Sequence, residues 1–412
     1  MGAVRHWVSG VVLSAGTVAM APQIVAQQQT STDSVQPSLE YAVRLRGLLM
    51  VDGRFFPSDE ANPVTNSFFL RRARPILEAT LGKHLEFRVM PDFGQGMTVL
   101  FDAYTDVKVS PAFAVRVGKF KAPVSLERLQ SASDIVFAER AFPSGLAPNR
   151  DVGLQFSGDI SKGRFAWQAG VFNGVPDLGN GDNDVSDAKD FVGRVFIQPF
   201  SAGPLTGLGV GVGASTGLER GTTAAPALAT YRTPGQQTFF RYASSTTTPA
   251  TNVFADGRRS RLYPQAYFYT GSFGVIGEYA ESWQTVTRTG TSAKLRHTAW
   301  QVTGSIFLTG EKNSFKSIAP KKPFDPKAGT WGAVELAAQC SEILLDDATF
   351  PTFASPASAP GKARAWGVGI NWYLARGVKV VVDYERTTFT GGTAAGDRAP
   401  EDFVVTRVQY SF

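Results

Sequence analysis

The sequence contains little of the chemistry that enzymes and cofactor proteins use. Its 412 residues include one cysteine, Cys340, and three histidines. A single cysteine excludes an internal disulfide framework. Neither a nucleophile motif nor a regular set of metal ligands accompanies the histidines. The sequence therefore gives no support to an enzyme and predicts no metal and no cofactor.

Long apolar runs are absent beyond the first 26 residues. Residues 1–26 combine a basic start at Arg5, an apolar stretch and the small-residue end "IVA", which is typical of a secretory signal peptide. A membrane-anchoring helix is the alternative, but the run is short and is interrupted by Ser and Gly. The mature chain is expected to begin near Gln27 with a polar tail, 27–40. The net charge of +6 is mild and dispersed, so we expect no nucleic-acid partner.

Beyond residue 40 the dominant pattern is period two, with one oily and one polar face. In 97–109, for example, Val99, Phe101 and Val107 share the oily face, whereas Asp102 and Asp106 lie opposite. About sixteen such segments occur, near 41–56, 67–80, 83–93, 97–109, 113–121, 151–159, 163–173, 189–199, 207–217, 261–270, 273–285, 294–308, 329–338, 362–374, 377–388 and 402–412. An even number of strands allows an up-and-down barrel to close.

The connections between these segments alternate between tight turns and long loops. This asymmetry, together with the final Phe412 on an alternating strand, is typical of an outer-membrane barrel with turns in the periplasm and loops outside. We therefore predict an all-β transmembrane barrel over 41–412, of about 16 antiparallel strands, with residues 27–40 as a periplasmic tail and the oily face against outer-membrane lipid. One connection, 311–329, is unexpectedly long for the short-turn side.

Basic residues recur on the polar face of neighbouring strands. Strand parity places on the lumen side Arg44, Arg46, Arg72, Arg74, Arg88 and Arg116. The planar fork of arginine suits phosphate-like oxyanions, so this group is a candidate path for anions. The alternative is that these arginines form solvated ion pairs with Glu78, Glu86, Asp92 and Asp102.

The acidic stretch "DLGNGDNDVSDAKD" lies in the long connection before the eighth strand. It lacks the regular ligand spacing of an EF-hand. We expect a solvated surface loop there rather than a Ca²⁺ site.

Several stretches resemble the phosphate-selective porin O and P family, among them "GKFKAPVSLERLQS", "FAERAFP", "NRDVGLQFSGD", "KKPFDP", "GTWGAVELAAQ" and "NWYLARGVKVVVDYE". The resemblance covers about 41–412, and the long 311–329 turn fits it. It implies a sixteen-stranded homotrimer whose third extracellular loop, residues 122–150, folds into the lumen and constricts it. It would also place near the constriction Lys121, Arg128, Arg140 and Arg150.

Together these observations predict an outer-membrane porin of a Gram-negative cell, forming a water-filled, anion-selective channel for phosphate or similar small oxyanions. The alternative is a general diffusion porin with weak or no anion selectivity. A barrel that acts as an adhesin or receptor through its long loops is a third interpretation, and a soluble binding module has the least support.

Overall fold

The alternating segments form sixteen wall strands in the computed structural model, which describes residues 41–57, 64–183 and 186–412. The predicted signal peptide and tail lie outside these residues. The wall strands are β1 (Tyr41–Phe55), β2 (Ser67–Leu81), β3 (Leu85–Asp92), β4 (Val99–Ser110), β5 (Phe113–Phe120), β6 (Asp151–Ile160), β7 (Phe165–Phe172), β8 (Asp190–Ile197), β9 (Leu208–Arg220), β12 (Phe254–Thr270), β13 (Phe273–Arg288), β14 (Thr291–Phe307), β15 (Ala333–Leu344), β16 (Pro360–Ala375), β17 (Val378–Thr393) and β19 (Glu401–Ser411).

Short elements decorate the connections between the wall strands. The short strands are β10 (Tyr231–Arg232), β11 (Thr238–Phe240) and β18 (Gly396–Asp397), and the helix α1 spans Leu126–Leu129. Single 3₁₀ turns occupy Gly94–Gly96, Phe142–Leu146, Pro249–Thr251 and Asp347–Thr349. In the described part of the chain, no helix is both long enough and apolar enough to cross a membrane.

The wall closes on itself. Consecutive wall strands pair in antiparallel fashion, β9 pairs with β12, and β1 pairs with β19 from Leu48–Ser411 to Phe55–Val404. Beyond this register, Gly47 and Phe412 exchange two backbone hydrogen bonds of 3.1 Å. A closed sheet leaves no backbone edge unpaired, which a lipid environment requires. The predicted sixteen-stranded antiparallel barrel is confirmed.

The two faces of the wall differ as the alternation predicted. On β16, Trp366, Val368 and Ile370 point outward and are exposed, whereas the inward Asn371 is buried. On β17, the inward Asp383 and Glu385 are likewise buried. Inward polar residues are buried here because further chain covers them from inside the barrel.

Much of that cover is the connection between β5 and β6, residues 121–150. On one side, Gln265 of β12 donates to the Val124 carbonyl at 2.8 Å, and Glu278 of β13 accepts from the Glu127 backbone N–H at 3.0 Å. These contacts fix the α1 end of the segment to the inner face of β12 and β13.

The other part of the same segment is attached to different strands. Lys379 of β17 donates to the Ile135 carbonyl at 3.0 Å, and Gln409 of β19 donates to the Ser133 carbonyl at 3.1 Å. The Ala138 backbone N–H donates to the Asp383 carboxylate at 2.7 Å. Residues 121–150 therefore contact the inner faces of two separate parts of the wall.

The connection between β14 and β15 is long, as the sequence indicated, although it lies at the short-turn end. It also reaches inward, because the Gln130 side chain donates to the Phe315 carbonyl at 2.7 Å. The Phe315 ring stacks on Tyr267 with their centroids 5.4 Å apart. This long turn therefore contacts the 121–150 segment.

Candidate functional site

A bulge in β2 turns two consecutive arginines inward. The pairing of β1 with β2 passes from Met50–Arg72 to Val51–Leu70, so Arg71 is an extra residue without a partner on β1. A bulge of this kind bends the strand and re-aims its side chain. Strict alternation would have pointed Arg71 toward lipid, but its guanidinium donates to the Glu139 carboxylate at 2.6 and 2.9 Å.

The connection between β3 and β4 supports this bulge from the side. A Cβ on Gly94 would lie 2.6 Å from the Arg71 carbonyl oxygen, so only glycine allows this approach. The backbone N–H of Ala73 donates to the Asp92 carboxylate at 3.0 Å. Asp92 also accepts from the Arg74 guanidinium at 2.7 Å.

A second bulge, in β4, turns the Phe101 side chain away from the direction that alternation predicts. The pairing of β3 with β4 passes from Pro91–Leu100 to Met90–Asp102 and leaves out Phe101. Its ring lies between two guanidinium groups, 4.5 Å from that of Arg74 and 4.6 Å from that of Arg150. The prediction that Phe101 faces lipid was therefore wrong, because alternation does not reveal a bulge.

These bulged strands and the 121–150 segment enclose a space of about 160 Å³, here called the cationic cavity. Among the described residues that line it, one carboxylate, Asp92, stands beside seven basic side chains, namely Arg71, Arg72, Arg74, Lys121, Arg128, Arg140 and Arg150. A low-dielectric wall strengthens the field of such a cluster.

Three carboxylates compensate part of this charge. Glu139 lies within salt-bridge distance of Arg71 and, at 3.7 Å, of Arg72. Asp92 pairs with Arg74 at 2.7 Å, and Asp102 pairs with Arg150 at 3.2 Å. Burial opposes ionisation of Glu139, but Arg71 and Arg72 hold the pKa of its carboxyl well below the usual range.

The other three basic side chains have no carboxylate within 4 Å in the described part of the chain. Lys121 donates to the Gln130 carbonyl at 2.8 Å. Arg140 donates to the same carbonyl at 2.7 Å, and Arg128 donates to the Ser144 carbonyl. These carbonyl oxygens accept hydrogen bonds but supply no opposite charge, and the buried Arg128 Nε has no hydrogen-bond partner among the described residues. The nearest compensation for Arg128 and Arg140 is the electrostatic effect of the Glu127 carboxylate, which makes no salt bridge with either.

The pKa shifts in the segment reflect this crowding of positive charge. Burial, together with Arg150 and Arg140, holds the pKa of the Lys121 ammonium well below its usual range. Burial and Arg150 lower the pKa of Arg128 to about 10. These cations disfavour one another in a desolvated space, and a bound anion would relieve that repulsion.

A larger space of about 440 Å³, the adjoining cavity, continues from the cationic cavity toward the long loops. The two share Arg71, Arg72, Arg128 and Arg140 among their lining residues. The far side of the adjoining cavity comes from the β9–β12 connection, and its lining there includes Arg232.

The remaining predicted arginines lie elsewhere. Arg44 and Arg88 line a separate space of about 250 Å³. Arg46 is exposed and lies 3.6 Å from Glu78, and Arg116 pairs with Asp106 at 2.6 Å. The structure therefore groups Arg72, Arg74, Lys121, Arg128, Arg140 and Arg150 in one cavity and leaves Arg44, Arg46, Arg88 and Arg116 outside it.

The acidic connection before β8 is not wholly a solvated surface loop. Asp177 is buried and accepts from the Arg261 guanidinium at 2.7 Å, and Asp182 pairs with Lys119, while Asp184 lies outside the described residues. Within the described residues, no group of three or more His, Cys, Asp or Glu side chains is placed to hold a metal ion.

The sequence reasoning missed two important members of this site. Arg71 was not among the candidates named from strand parity, and only a bulge, which leaves no clear mark in the sequence, brings it inward. Glu139 lies in a loop where no alternation applies, so its contact with the arginines of β2 required the folded structure.

A family model for phosphate-selective porin O and P matches residues 43–412. The chain belongs to the phosphate-selective porin O and P family. It is thus a channel protein of the Gram-negative outer membrane. Among curated proteins, none matches the sequence with significant similarity.

Solved outer-membrane channels share the fold of this porin. OmpT of Vibrio cholerae, in a trimer form, superposes with a TM-score of 0.57 at 13% identity, covering 90% of this chain and 99% of that one. For DcaP of Acinetobacter baumannii the TM-score is 0.56 at 10% identity, with 90% and 97% covered. Pseudomonas putida OprB gives 0.56 at 13% identity, with 90% and 94% covered.

Proposed function

We propose that this porin is an anion-selective channel and that phosphate-like oxyanions pass through the cationic cavity. The observation that carries the proposal is the excess of positive charge there, since Lys121, Arg128 and Arg140 form no salt bridge with a described carboxylate. A desolvated cation without a counterion is costly. A transient oxyanion supplies the missing charge and accepts hydrogen bonds from several guanidinium groups.

Conduction also requires that the anion can leave. The carboxylates of Asp92, Asp102 and Glu139 lower the positive potential in the cavity. Several arginines share the hydrogen bonds to the anion, so no single contact needs to be strong. In this proposal the 121–150 segment forms the constriction, because it brings Lys121, Arg128, Arg140 and Arg150 opposite the arginines of β2. The family resemblance and the trimer form of OmpT support a homotrimer.

Ion selectivity tests the proposal directly. Replacing Arg72 and Arg74 by alanine should lower the anion-to-cation permeability ratio by roughly threefold or more, because two charges leave the narrow part of the path. Reversal potentials of the purified channel in a KCl gradient measure this ratio.

The variant R44A/R46A is the matched control, since it removes the same charge from the same face outside the cationic cavity. It should leave the ratio near that of the wild type. An unchanged reversal potential in R72A/R74A would rule out a role for these arginines, and an equal fall in both variants would assign selectivity to overall charge.

A general diffusion porin is the second candidate, and one observation favours it. Glu139 lies within 4 Å of Arg54, Arg71, Arg72 and Arg407, so much of the basic charge has a nearby counter-charge. If this pairing cancels the field, the wild-type channel will conduct K⁺ and Cl⁻ with little preference.

A further inference from the structure

The adjoining cavity offers a second kind of chemistry beside the guanidinium groups. Its volume of about 440 Å³ is in the range of small-molecule sites, about 300–1,000 Å³. Its lining includes several uncharged hydrogen-bonding side chains, among them Gln95, Asn149, Thr230 and Gln236. Gln95 and Asn149 also line the cationic cavity, whereas Thr230 and Gln236 do not. An amide or hydroxyl both donates and accepts, which matches the hydroxyl groups of an organic molecule.

Unusual backbone conformations concentrate at this cavity. Seven non-glycine residues in the described part of the chain have a left-handed φ. Three of them line the adjoining cavity: Gln95 at 59°, Leu178 at 63° and Gln236 at 66°. Such conformations persist where the surroundings impose them, and they cluster at ligand sites.

The two left-handed glutamines come from different parts of the chain. Gln95 belongs to the β3–β4 connection beside the Arg71 bulge, and Gln236 lies in the turn between β10 and β11. That turn is held in place because Thr233 donates its hydroxyl to Glu401 at 2.6 Å and accepts from the Gln237 N–H at 3.1 Å. The Gln236 amide is therefore presented on a fixed support, which limits the entropy lost when a ligand binds.

The loop side of the cavity also carries positive charge. Arg232 of β10 is exposed and lines the cavity. It makes no ion pair within the described structure, so its guanidinium is available to an anion that approaches from the long loops. The charge therefore continues from the cavity mouth to the cationic cavity.

We propose that the channel takes organic phosphate esters, with the phosphate in the cationic cavity and an uncharged hydroxylated body in the adjoining cavity. The shared lining by Arg71, Arg72, Arg128 and Arg140 allows one molecule to reach both spaces. Inorganic phosphate has no body for the amides to bind, so the adjoining cavity would distinguish the two. This inference rests on the proposed anion channel.

Current block by three solutes tests the inference. In symmetric KCl, glucose 6-phosphate should halve the current at a concentration roughly tenfold lower than inorganic phosphate, since two amides add hydrogen bonds to the body. Glucose at the same concentrations should have no effect.

Two variants of Gln236, which lines the adjoining cavity but not the cationic cavity, separate the amide from the backbone. Q236G removes the amide, and glycine suits the left-handed conformation, so glucose 6-phosphate should lose much of its advantage while phosphate block is unchanged. Q236N keeps an amide, and asparagine tolerates the same conformation, so the advantage should persist.

The outcomes distinguish the two proposals. If phosphate blocks but glucose 6-phosphate does so no better, or if Q236G weakens both equally, the organic-ester inference is overturned and the anion channel stands. Block by glucose alone would also overturn it, because the arginines would then be unnecessary. If neither phosphate nor glucose 6-phosphate affects the current, both the anion channel and the inference fail.

Discussion

Lys121 carries a positive charge in the cationic cavity that a rise in pH can remove. Burial and the neighbouring Arg150 and Arg140 hold the pKa of Lys121 well below its usual value of 10.5. Burial and neighbouring cations also lower the pKa of Arg128 to about 10 and that of Arg140 to about 9. A lowered pKa means that the ammonium loses its proton earlier as the pH rises. The charge is therefore present in acid and disappears before an ordinary lysine would titrate.

We expect the anion preference of the wild-type channel in KCl to fall as the pH rises from neutral while it stays below about 9, where Arg140 and then Arg128 also begin to lose protons. The variant K121R should show a smaller fall over the same interval, because its guanidinium keeps the proton. Reversal potentials measured at a series of pH values give both curves.

The variant K121M supplies the opposite limit for this measurement. It has no charge at this position, so it should show the low anion preference of the alkaline wild type throughout the same pH interval. Parallel curves for the wild type and K121R would show that the titrating group is another residue.

At the scale of the element, the bulge at Arg71 explains how one strand presents two adjacent arginines to the same side. The extra residue is confined to a single position, because the β1–β2 register is regular from Tyr41–Leu81 to Met50–Arg72 and again from Val51–Leu70 onward. Removing that residue would therefore leave both halves of β2 with their present faces.

Deleting Arg71 should give a folded barrel with a regular β1–β2 pairing and a lower anion-to-cation permeability ratio. Folding can be followed by the heat-dependent shift of the band in gel electrophoresis, and selectivity by the reversal potential. The prediction is specific to this position, because a one-residue slip elsewhere exchanges the two faces of a strand.

Deleting Leu77, in the regular part of β2, is the matched control. It would turn the residues before it to the opposite face and bury charge against lipid, so we expect no folded band. If the Arg71 deletion also failed to fold, the bulge would be a requirement of barrel closure rather than a means of directing a side chain.

The strands of the barrel could be predicted from the sequence, but the bulges and the 121–150 segment could not. Alternation locates the strands because it follows directly from one oily and one wet face. It failed at Arg71 and Phe101, where a single extra residue reverses the direction of a side chain. It also says nothing about 121–150, which has no alternation, so the basic residues of that segment were named from family resemblance alone.

At the scale of the whole molecule, the barrel depends on the pairing that joins β1 to β19. The Phe412 ring lies over Gly47, where a Cβ would come within 2.4 Å of a ring carbon. The backbones of these two residues also exchange two hydrogen bonds. A larger side chain at Gly47 would therefore collide with the ring at the point of closure.

The variant G47V should fold in lower yield than the wild type, because an unpaired backbone group in lipid costs several kcal/mol. The yield can be measured as the fraction of refolded protein that shows the heat-dependent gel shift. G277V is the matched control, since a Cβ on Gly277 of β13 would meet only the Gln301 carbonyl, at 3.7 Å. Equal yields for the two variants would contradict a special role for the ring.

The closed wall was predictable from the sequence because an even number of strands and alternating connections leave few other arrangements. The position of residues 121–150 inside the barrel was not predictable, because it depends on contacts between residues far apart in the chain, such as Gln409 with Ser133. Each of these pairs becomes meaningful only after closure brings the strands together.

The attachments of residues 121–150 have a mechanical consequence. The segment is bonded to β12 and β13 through Gln265 and Glu278 and to β17 and β19 through Lys379 and Gln409. It acts as a strut that braces two parts of the barrel wall against each other. In the proposed channel, the shape of the opening is therefore set by the girth of the barrel and the length of this strut.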